Sequence, residues 1–450
     1  MFDSFDRTVL GIATALISAI ALLVALGEHA RVGIEAIPGD GTRPAATTTI
    51  RLVFSQDMDR ESVEAAFLIE PHTEGRLDWQ GRTLIFWPAK PFEAGQPVTV
   101  TLDSTAVSVA GRQVPDGFQF QFVPREPGVI YLYPADAATR GLWLDPPGEG
   151  EPEPIYEGEQ GVFSFDTSPD GAWIAMTLYN SQLTTDIWLV GVDGTGAHRL
   201  IDCSPGLCGT SAWSPDGRLL AYERQSPNLT GGLGPSRIWL YDLGTGETAP
   251  VYEDTQVLGY SPIWSRDGAR LAFYDATVGA IRVVGVLDGS EYQVPNQMGE
   301  VGSFSPDGMQ LVYPEIRSLD QQFFPELWLA DLSVSGGLKP LLQEPQEDIA
   351  PVWSPDGEWI AFGRKRIDRQ GGFTSQVWLY EVATGSLRQI TDDPEYNSAR
   401  FRWSPDGNRL LMQRYDVTES FTQPEVWVYD LAVDTFTRLV INGDSATWIP

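Results

Sequence analysis

One short motif constrains this chain more than any other feature. Ser-Pro-Asp-Gly, or a near copy, begins at Ser168, Ser214, Ser265, Ser305, Ser354 and Ser404, at intervals of 40 to 51 residues. That period fits a four-stranded propeller blade of roughly 40 to 45 residues, with the excess placed in loops. The motif itself is turn chemistry: Pro presets φ, Asp caps local backbone amides, and Gly takes the left-handed position that closes a hairpin with a bulge. Six repetitions of one catalytic site make no chemical sense, so the motif reads as scaffold. Each copy follows one strand and precedes three more, such as Trp359-Ile360-Ala361-Phe362, Val377-Trp378-Leu379-Tyr380 and Leu387-Arg388-Gln389-Ile390.

The two ends of this region each hold part of one more repeat. Thr447-Trp448-Ile449-Pro450 aligns with Ala212-Trp213-Ser214-Pro215, the end of a first strand. Val129-Ile130-Tyr131-Leu132-Tyr133 supplies a second strand, Leu142-Trp143-Leu144 a third and Pro154-Ile155-Tyr156 a fourth. The third-strand aromatic column reads Trp143, Trp188, Trp239, Arg282, Trp328, Trp378, Trp427, and the first-strand column reads Thr167, Trp213, Trp264, Phe304, Trp353, Trp403, Trp448. Both columns have seven members, which predicts an all-β, seven-bladed β-propeller over 128–450 whose C-terminal strand completes the sheet begun at its start.

These repeats resemble the WD40-like (PD40) propeller repeat of TolB-type proteins and of the non-catalytic propellers of prolyl oligopeptidase relatives, over residues 129 to 450. The resemblance keeps six blades as the alternative, because TolB-type propellers usually have six. In the peptidase relatives an α/β-hydrolase domain carries the chemistry, and none is expected here, where the chain ends within the last repeat. TolB pairs its propeller with an α/β domain whose place is taken here by a different module, so a Tol–Pal role is not carried over.

That module spans 32–124. Short strands such as Thr49-Ile50-Arg51-Leu52-Val53-Phe54 and Val98-Thr99-Val100-Thr101-Leu102 alternate with turns, and Phe118, Phe120 and Phe122 share one sheet face. A β-sandwich of about a hundred residues is the expectation. Leu52-Val53-Phe54-Ser55-Gln56-Asp57-Met58-Asp59, Leu84-Ile85-Phe86-Trp87-Pro88 and the Ala110-Gly111 turn resemble the bacterial Ig-like domain of the S-layer protein SbsA type, which implies a spacer or adhesive module.

Val9 to Leu26 is an uncharged run of 18 residues, enough to cross a hydrocarbon core as a helix. It predicts a signal anchor at 8–27 after a cytoplasmic 1–7, with the rest of the chain outside the cytoplasm, in the periplasm or on the surface of a bacterial cell envelope. Ala25-Leu26-Gly27 would also pass as a cleavage site, and Arg7 and Arg31 nearly cancel as orientation signals. With 61 acidic against 30 basic side chains, the formal charge of −31 repels phosphate backbones, and no nucleic-acid partner is expected.

Catalytic signatures are absent from the sequence. It holds three histidines, His29, His72 and His198, one in each region, no Gly-x-Ser-x-Gly elbow and no phosphate-binding Gly loop. No cofactor and no metal are expected, and Cys203, Cys208 and His198 lack a fourth soft ligand. The Cys203–Cys208 spacing suits either a small loop disulfide in an oxidising compartment or two free thiols. The chain therefore reads as a binding or scaffold protein and not an enzyme. A saccharide or lactone hydrolase acting at the axial pocket, and a purely architectural envelope protein, are the alternatives.

A propeller binds where loops collect on one face. The second-to-third-strand connections Gln225 to Ser236, Pro314 to Pro325, Gly363 to Thr374 and Tyr415 to Pro424 are long. Phe323-Phe324 places adjacent aromatics in one of them, as an interface anchor or tucked beneath it, and Arg364-Lys365-Arg366 with Arg369 is the densest positive cluster, either receiving an anionic partner or forming a solvated strand exit. Four positions before the motif serine, Ser164, Thr210, Ser261, Arg400 and Ser445 reach the channel mouth, to hold a small polar ligand or water. A protein or glycan partner at this face is the expectation.

Overall fold

The computed structural model describes residues 32–450 apart from 116–117, 149, 182–183, 229–230, 320, 334–336, 343, 368–373 and 419–421. The expected anchor at 8–27 lies outside the described residues, and among these no helix is long and apolar enough to cross a membrane. The chain divides into two compact units, one of residues 32–42, 49–89 and 97–123, the other of residues 43–48, 90–96 and 124–450.

The first unit has two antiparallel sheets. One orders Ile34–Ile37, Ile50–Phe54, Thr83–Pro88 and Gly75–Gln80, and the other orders Phe67–Glu70, Val98–Leu102 and Phe118–Phe122. Phe120 and Phe122 are buried while Gln119 and Gln121 between them are exposed, as a period of two requires. A helix not expected from the sequence, Arg60–Ala66, follows Asp59, whose Oδ1 accepts the Ser62 N–H at 3.4 Å. Asp-Arg-Glu-Ser carries an N-cap and an acidic first turn, but seven residues are too few to show helical periodicity.

In the second unit the described residues form seven four-stranded antiparallel sheets, here I to VII. Sheet I joins Gly128–Tyr133, Gly141–Asp145 and Glu153–Tyr156 to the C-terminal strand Asp444–Ile449, with Thr447 opposite Ile130. Sheets II to VII run in chain order, their first strands being Val162–Thr167, Leu207–Trp213, Tyr260–Trp264, Ser303–Phe304, Glu347–Trp353 and Tyr396–Trp403. Apolar residues from consecutive sheets meet in shared cores, such as Ile130 with Met176 between I and II and Ile281 with Tyr313 between IV and V. Tyr131 and Trp448 of sheet I pack with Leu411 and Val426 of sheet VII, so the order of packing returns to its start.

The Ser-Pro-Asp-Gly turns are built alike. The serine Oγ donates to the Asp Oδ1 at 2.5–2.7 Å in all six copies and accepts the N–H five residues on, for example that of Trp359 on Ser354 at 2.9 Å. The Asp Oδ1 also accepts the N–H that follows the glycine, for example that of Glu358 on Asp356 at 2.9 Å. Gly357 has φ of +77°, a left-handed conformation that favours glycine. These contacts tie the serine hydroxyl and one aspartate oxygen of each copy into the turn, as a structural motif requires.

First strands stitch neighbouring sheets together. The indole Nε1 of Trp264, Trp403 and Trp448 donates to the carbonyl of Ala212, Val352 and Arg402, at 3.0, 3.2 and 3.0 Å, in the preceding sheet. Three of the first-strand tryptophans are thus inter-sheet ties as well as core, whereas the indole N–H groups of Trp213 and Trp353 are buried without a partner. Arg282, the outlier of the third-strand column, is explained by its partner. Sheets III, VI and VII stack Arg224, Arg364 and Arg414 over Trp239, Trp378 and Trp427, whereas sheet IV has Asp275 in place of the arginine and Arg282 in place of the tryptophan, paired at 2.6 Å. An ion pair thus replaces the cation–π stack at this position.

Candidate functional site

Two of the four long connections differ from the loops expected. Leu219–Pro227 pairs with Leu233–Asp242 and Gln310–Leu319 pairs with Gln322–Asp331, so two of them are extended β-hairpins. Phe323 and Phe324 lie on a strand, opposite Ser318 and Arg317, and alternation sends Phe324 inward, 3% exposed, and Phe323 outward, 72% exposed. Chain polarity at a loop had masked a strand whose partner is local.

The expected basic cluster is corrected in its central member. Arg364 is buried, gives two bonds to Asp348 (2.7 and 3.0 Å) and one to Glu344 (2.9 Å), and stacks between Phe362 and Trp378. Burial opposes its charge, but Asp348 and Glu344 outweigh that and raise its pKa, and burial raises that of Asp348 despite Arg364. Buried and paired with two carboxylates, it presents no free cation to an outside anion. Lys365 pairs with Glu347 at 2.9 Å, Arg366 is exposed, and Arg369 lies outside the described residues. Cys203 and Cys208 form a disulfide with Cα atoms 5.9 Å apart in the connection from sheet II to sheet III.

Four members of the hydroxyl column meet in two separate pairs, with Glu223 and Asp444 as partners that the sequence did not point to. Thr210 Oγ1 donates to Glu223 Oε1 at 2.6 Å, and the Ser261 N–H donates to the same oxygen at 2.8 Å. Arg400 Nη1 reaches Ser445 Oγ at 2.6 Å and Asp444 Oδ1 at 3.1 Å, while Arg140 holds the other Asp444 oxygen at 2.9 Å. Burial works against the Asp444 charge, yet Gln413, Arg400, the Ser445 N–H and Arg140 keep its pKa below the usual carboxylate range. Ser164 stands apart, its buried Oγ without a hydrogen-bond partner.

This column is a place of unusual backbone. Ser261, Ala350, Arg400 and Ser445 occupy one repeat position and have φ of 54°, 52°, 54° and 53°. Their strands shift register at that point, between Tyr260 and Ile263, Ile349 and Val352, Ala399 and Arg402, and Asp444 and Thr447. A bulge with a left-handed non-glycine residue costs free energy and persists only where surrounding structure imposes it. Here it re-aims the first strand as it enters each sheet.

Two residues further along, the column Asp166, Ala212, Ile263, Ser303, Val352, Arg402, Thr447 is open to water in every sheet, with Arg402 exposed and the other six partly so. Among its members two are charged, Asp166 and Arg402. Asp166 Oδ2 accepts the Trp213 N–H at 2.8 Å, and burial pushes its pKa up to about 6 against the pull of that bond and of Arg402. Glu300, entering sheet V, is likewise raised by burial, with the Ala350 N–H and Arg402 opposing. Surrounding protein lowers the pKa of Arg402, with Asp166 and Glu300 attracting it and Arg400 repelling it. Charge in an otherwise small or apolar repeat column was the signal available in the sequence. On the turn side, Arg266 replaces the motif proline and donates to the Pro355 carbonyl, in sheet VI, at 2.8 Å.

Comparison with known proteins agrees with this architecture. Residues 237–440 match the TolB beta propeller domain and residues 32–123 the bacterial Ig-like domain, so the chain carries one of each. It is similar to the uncharacterized peptidase YuxL of Bacillus subtilis, 28% identical over 24% of this chain and 16% of that one. It is also similar to the uncharacterized protein Atu1656 of Agrobacterium fabrum, 29% identical over 49% of this chain and 71% of that one. A solved structure from a study of two prolyl endopeptidases shares the fold, with a TM-score of 0.51 at 12% identity, covering 79% of this chain and 49% of that one. The chain thus spans less than a fifth of the first of these relatives and about half of the endopeptidase.

Proposed function

We propose that this protein is a membrane-anchored, extracytoplasmic binding or scaffold protein, not an enzyme, whose seven sheets are the blades of one closed propeller that engages a partner protein through its hairpin face. One observation carries the reading. Exposed apolar side chains stand where second strands turn into third in five of the seven sheets: Tyr179 and neighbouring Phe163 in sheet II, Leu233 in III, Val278 in IV, Phe323 in V and Val417 in VII. Exposed apolar groups presented by a rigid scaffold anchor protein interfaces. The Ig-like unit serves as spacer.

Site-specific photocrosslinking in producing cells tests this, with the reactive residue placed at Phe323 or at Leu287, an exposed residue of a third-to-fourth-strand turn. A partner captured from position 323 and not from 287, and lost when Leu233 and Val417 are both changed to Ser, supports the reading. Equal capture from both positions, or none from 323, overturns it. Protease protection of the propeller in spheroplasts would place it in the cytoplasm and sink the extracytoplasmic part.

A further inference from the structure

Sheets II and IV to VII each close an arginine–carboxylate pair at one level of the repeat, built on the residue ten after the motif serine or the residue two before the third-strand aromatic column. The pairs are Asp186 with Arg199 at 3.6 Å, Asp275 with Arg282 at 2.6 Å, Glu326 with Arg317 at 2.6 Å, Asp348 with Arg364 at 2.7 Å and Asp393 with Arg414 at 3.1 Å. Sheet III has arginine at both positions. Arg224 and Arg237 stand directly opposite each other in the strand pairing, so their side chains leave one face with Cβ atoms about 5 Å apart, and like charges so placed repel. Among the described residues neither has a carboxylate within ion-pair distance. The first strand supplies the reason: Cys208, bonded to Cys203, pairs with Arg224 at the register position where Asp348 pairs with Arg364.

Both arginines are half-buried. The Arg224 guanidinium lies 5.0 Å from the centre of the Trp239 ring and makes no hydrogen bond to a described residue, and its Nε is buried without a partner. Arg237 turns Nη2 to the carbonyls of Tyr252 and Asp254, and its Nε is likewise buried and unpartnered. A half-buried guanidinium with donors unmet is costly until an acceptor arrives.

We propose that Arg224, stacked on Trp239 and flanked by Arg237, receives an acidic side chain of the partner protein. This rests on the partner-binding reading above and names the chemistry that partner brings. The molecule itself shows what fits the frame, since Arg364 on Trp378 and Arg414 on Trp427 each hold a carboxylate. A carboxylate from outside takes the open edge of Arg224 with two oxygens and offsets the repulsion from Arg237. Leu233, exposed at the start of the same third strand, adds an apolar contact beside it. On a chain of formal charge −31 an acidic group is repelled from most of the surface, so this pair fixes the register of docking.

The full-length protein in detergent micelles is titrated calorimetrically with acetyl-Leu-Glu-Leu-amide and with its glutamine and phosphoserine counterparts. The glutamate peptide is expected to bind at least about tenfold more tightly than the other two, and Arg224→Gln to remove at least about tenfold of that affinity, with Arg224→Lys, which keeps the charge without the fork, in between. Arg237→Glu puts opposite Arg224 the residue that faces Arg414 in sheet VII, Glu425, and is expected to abolish binding by giving Arg224 an internal partner. Arg388→Gln, at an arginine already paired with Asp434, is expected to leave the affinity within about twofold. Absence of glutamate-peptide binding at millimolar concentration, equal binding of the glutamine peptide, tighter binding of the phosphoserine peptide, or undiminished binding in Arg224→Gln or Arg237→Glu each overturns the proposal. Photocrosslinking from position 323 separates the two readings. A partner captured as strongly by Arg224→Gln as by the parent removes the carboxylate site and keeps the partner face, whereas no capture by the parent removes both.

Discussion

At the scale of single residues, what distinguishes Arg364 from Arg224 is the company each keeps. Arg364 sits against Asp348, which is wholly buried, so Arg364→Ala strands a carboxylate without its cation. Breaking a buried pair in this way costs about 3–5 kcal/mol, and a fall of that size in urea-denaturation free energy is expected, with Arg364→Ala/Asp348→Ala recovering part of it in a double-mutant cycle. Asp166 behaves in the opposite sense. Its folded pKa of about 6 lies above that of an unfolded Asp, roughly 3.9, so the folded chain holds the extra proton between those values and stability falls as the pH rises through them. Partial exposure of Asp166 to water screens the effect, which leaves a gain on the order of 1–2 kcal/mol for Asp166→Asn at pH 7.5. Denaturation midpoints that differ at pH 7.5 and coincide at pH 4 are the expected pattern.

At the scale of elements, the paired strands at Gln310–Leu319 and Gln322–Asp331 show how alternation divides neighbours. Phe324→Ser removes a buried ring and should cost about 3–5 kcal/mol, whereas Phe323→Ser should change stability by less than about 0.5 kcal/mol, as thermal melts of the two variants will report. Sequence inspection assigned both rings to a loop, because Pro314 and Pro325 flank the segment and proline argues against a central strand. Here the prolines lie on paired strands, opposite Leu327 and Ile316, and local pairing decided the outcome. Closing the short loop between Cys203 and Cys208 is worth about 2 kcal/mol on chain-entropy grounds, so reduction should lower the denaturation midpoint by that equivalent without altering the far-ultraviolet spectrum.

At the scale of the molecule, the strand Asp444–Ile449 is the one whose partner is most distant in sequence, since Thr447 faces Ile130. Removing residues 443–450 would strip sheet I of a paired strand, expose the edge of Gly128–Tyr133 and take Trp448 out of the core shared with Leu411 and Val426. Such a truncation is expected to lose cooperative unfolding and to associate through the open edge, visible as a broadened melt and a larger hydrodynamic size in size-exclusion chromatography. Supplying a peptide of residues 443–450 should restore the cooperative transition.

The turn motif, the two aromatic columns and the alternating phenylalanines were enough, read along the chain, to specify strands, turns and the two kinds of domain. These features are local or strictly periodic, and backbone preference and side-chain alternation act over a few residues at a time. Tertiary structure decided which polar groups satisfy one another. Glu223 bridges Thr210 and Ser261, Asp444 gathers Arg400 and Arg140, Asp348 claims Arg364, and Arg224 keeps its stack on Trp239. Those outcomes depend on distances between residues tens to hundreds of positions apart, and on burial that sets how much each charge costs. Neither quantity exists until the sheets are packed.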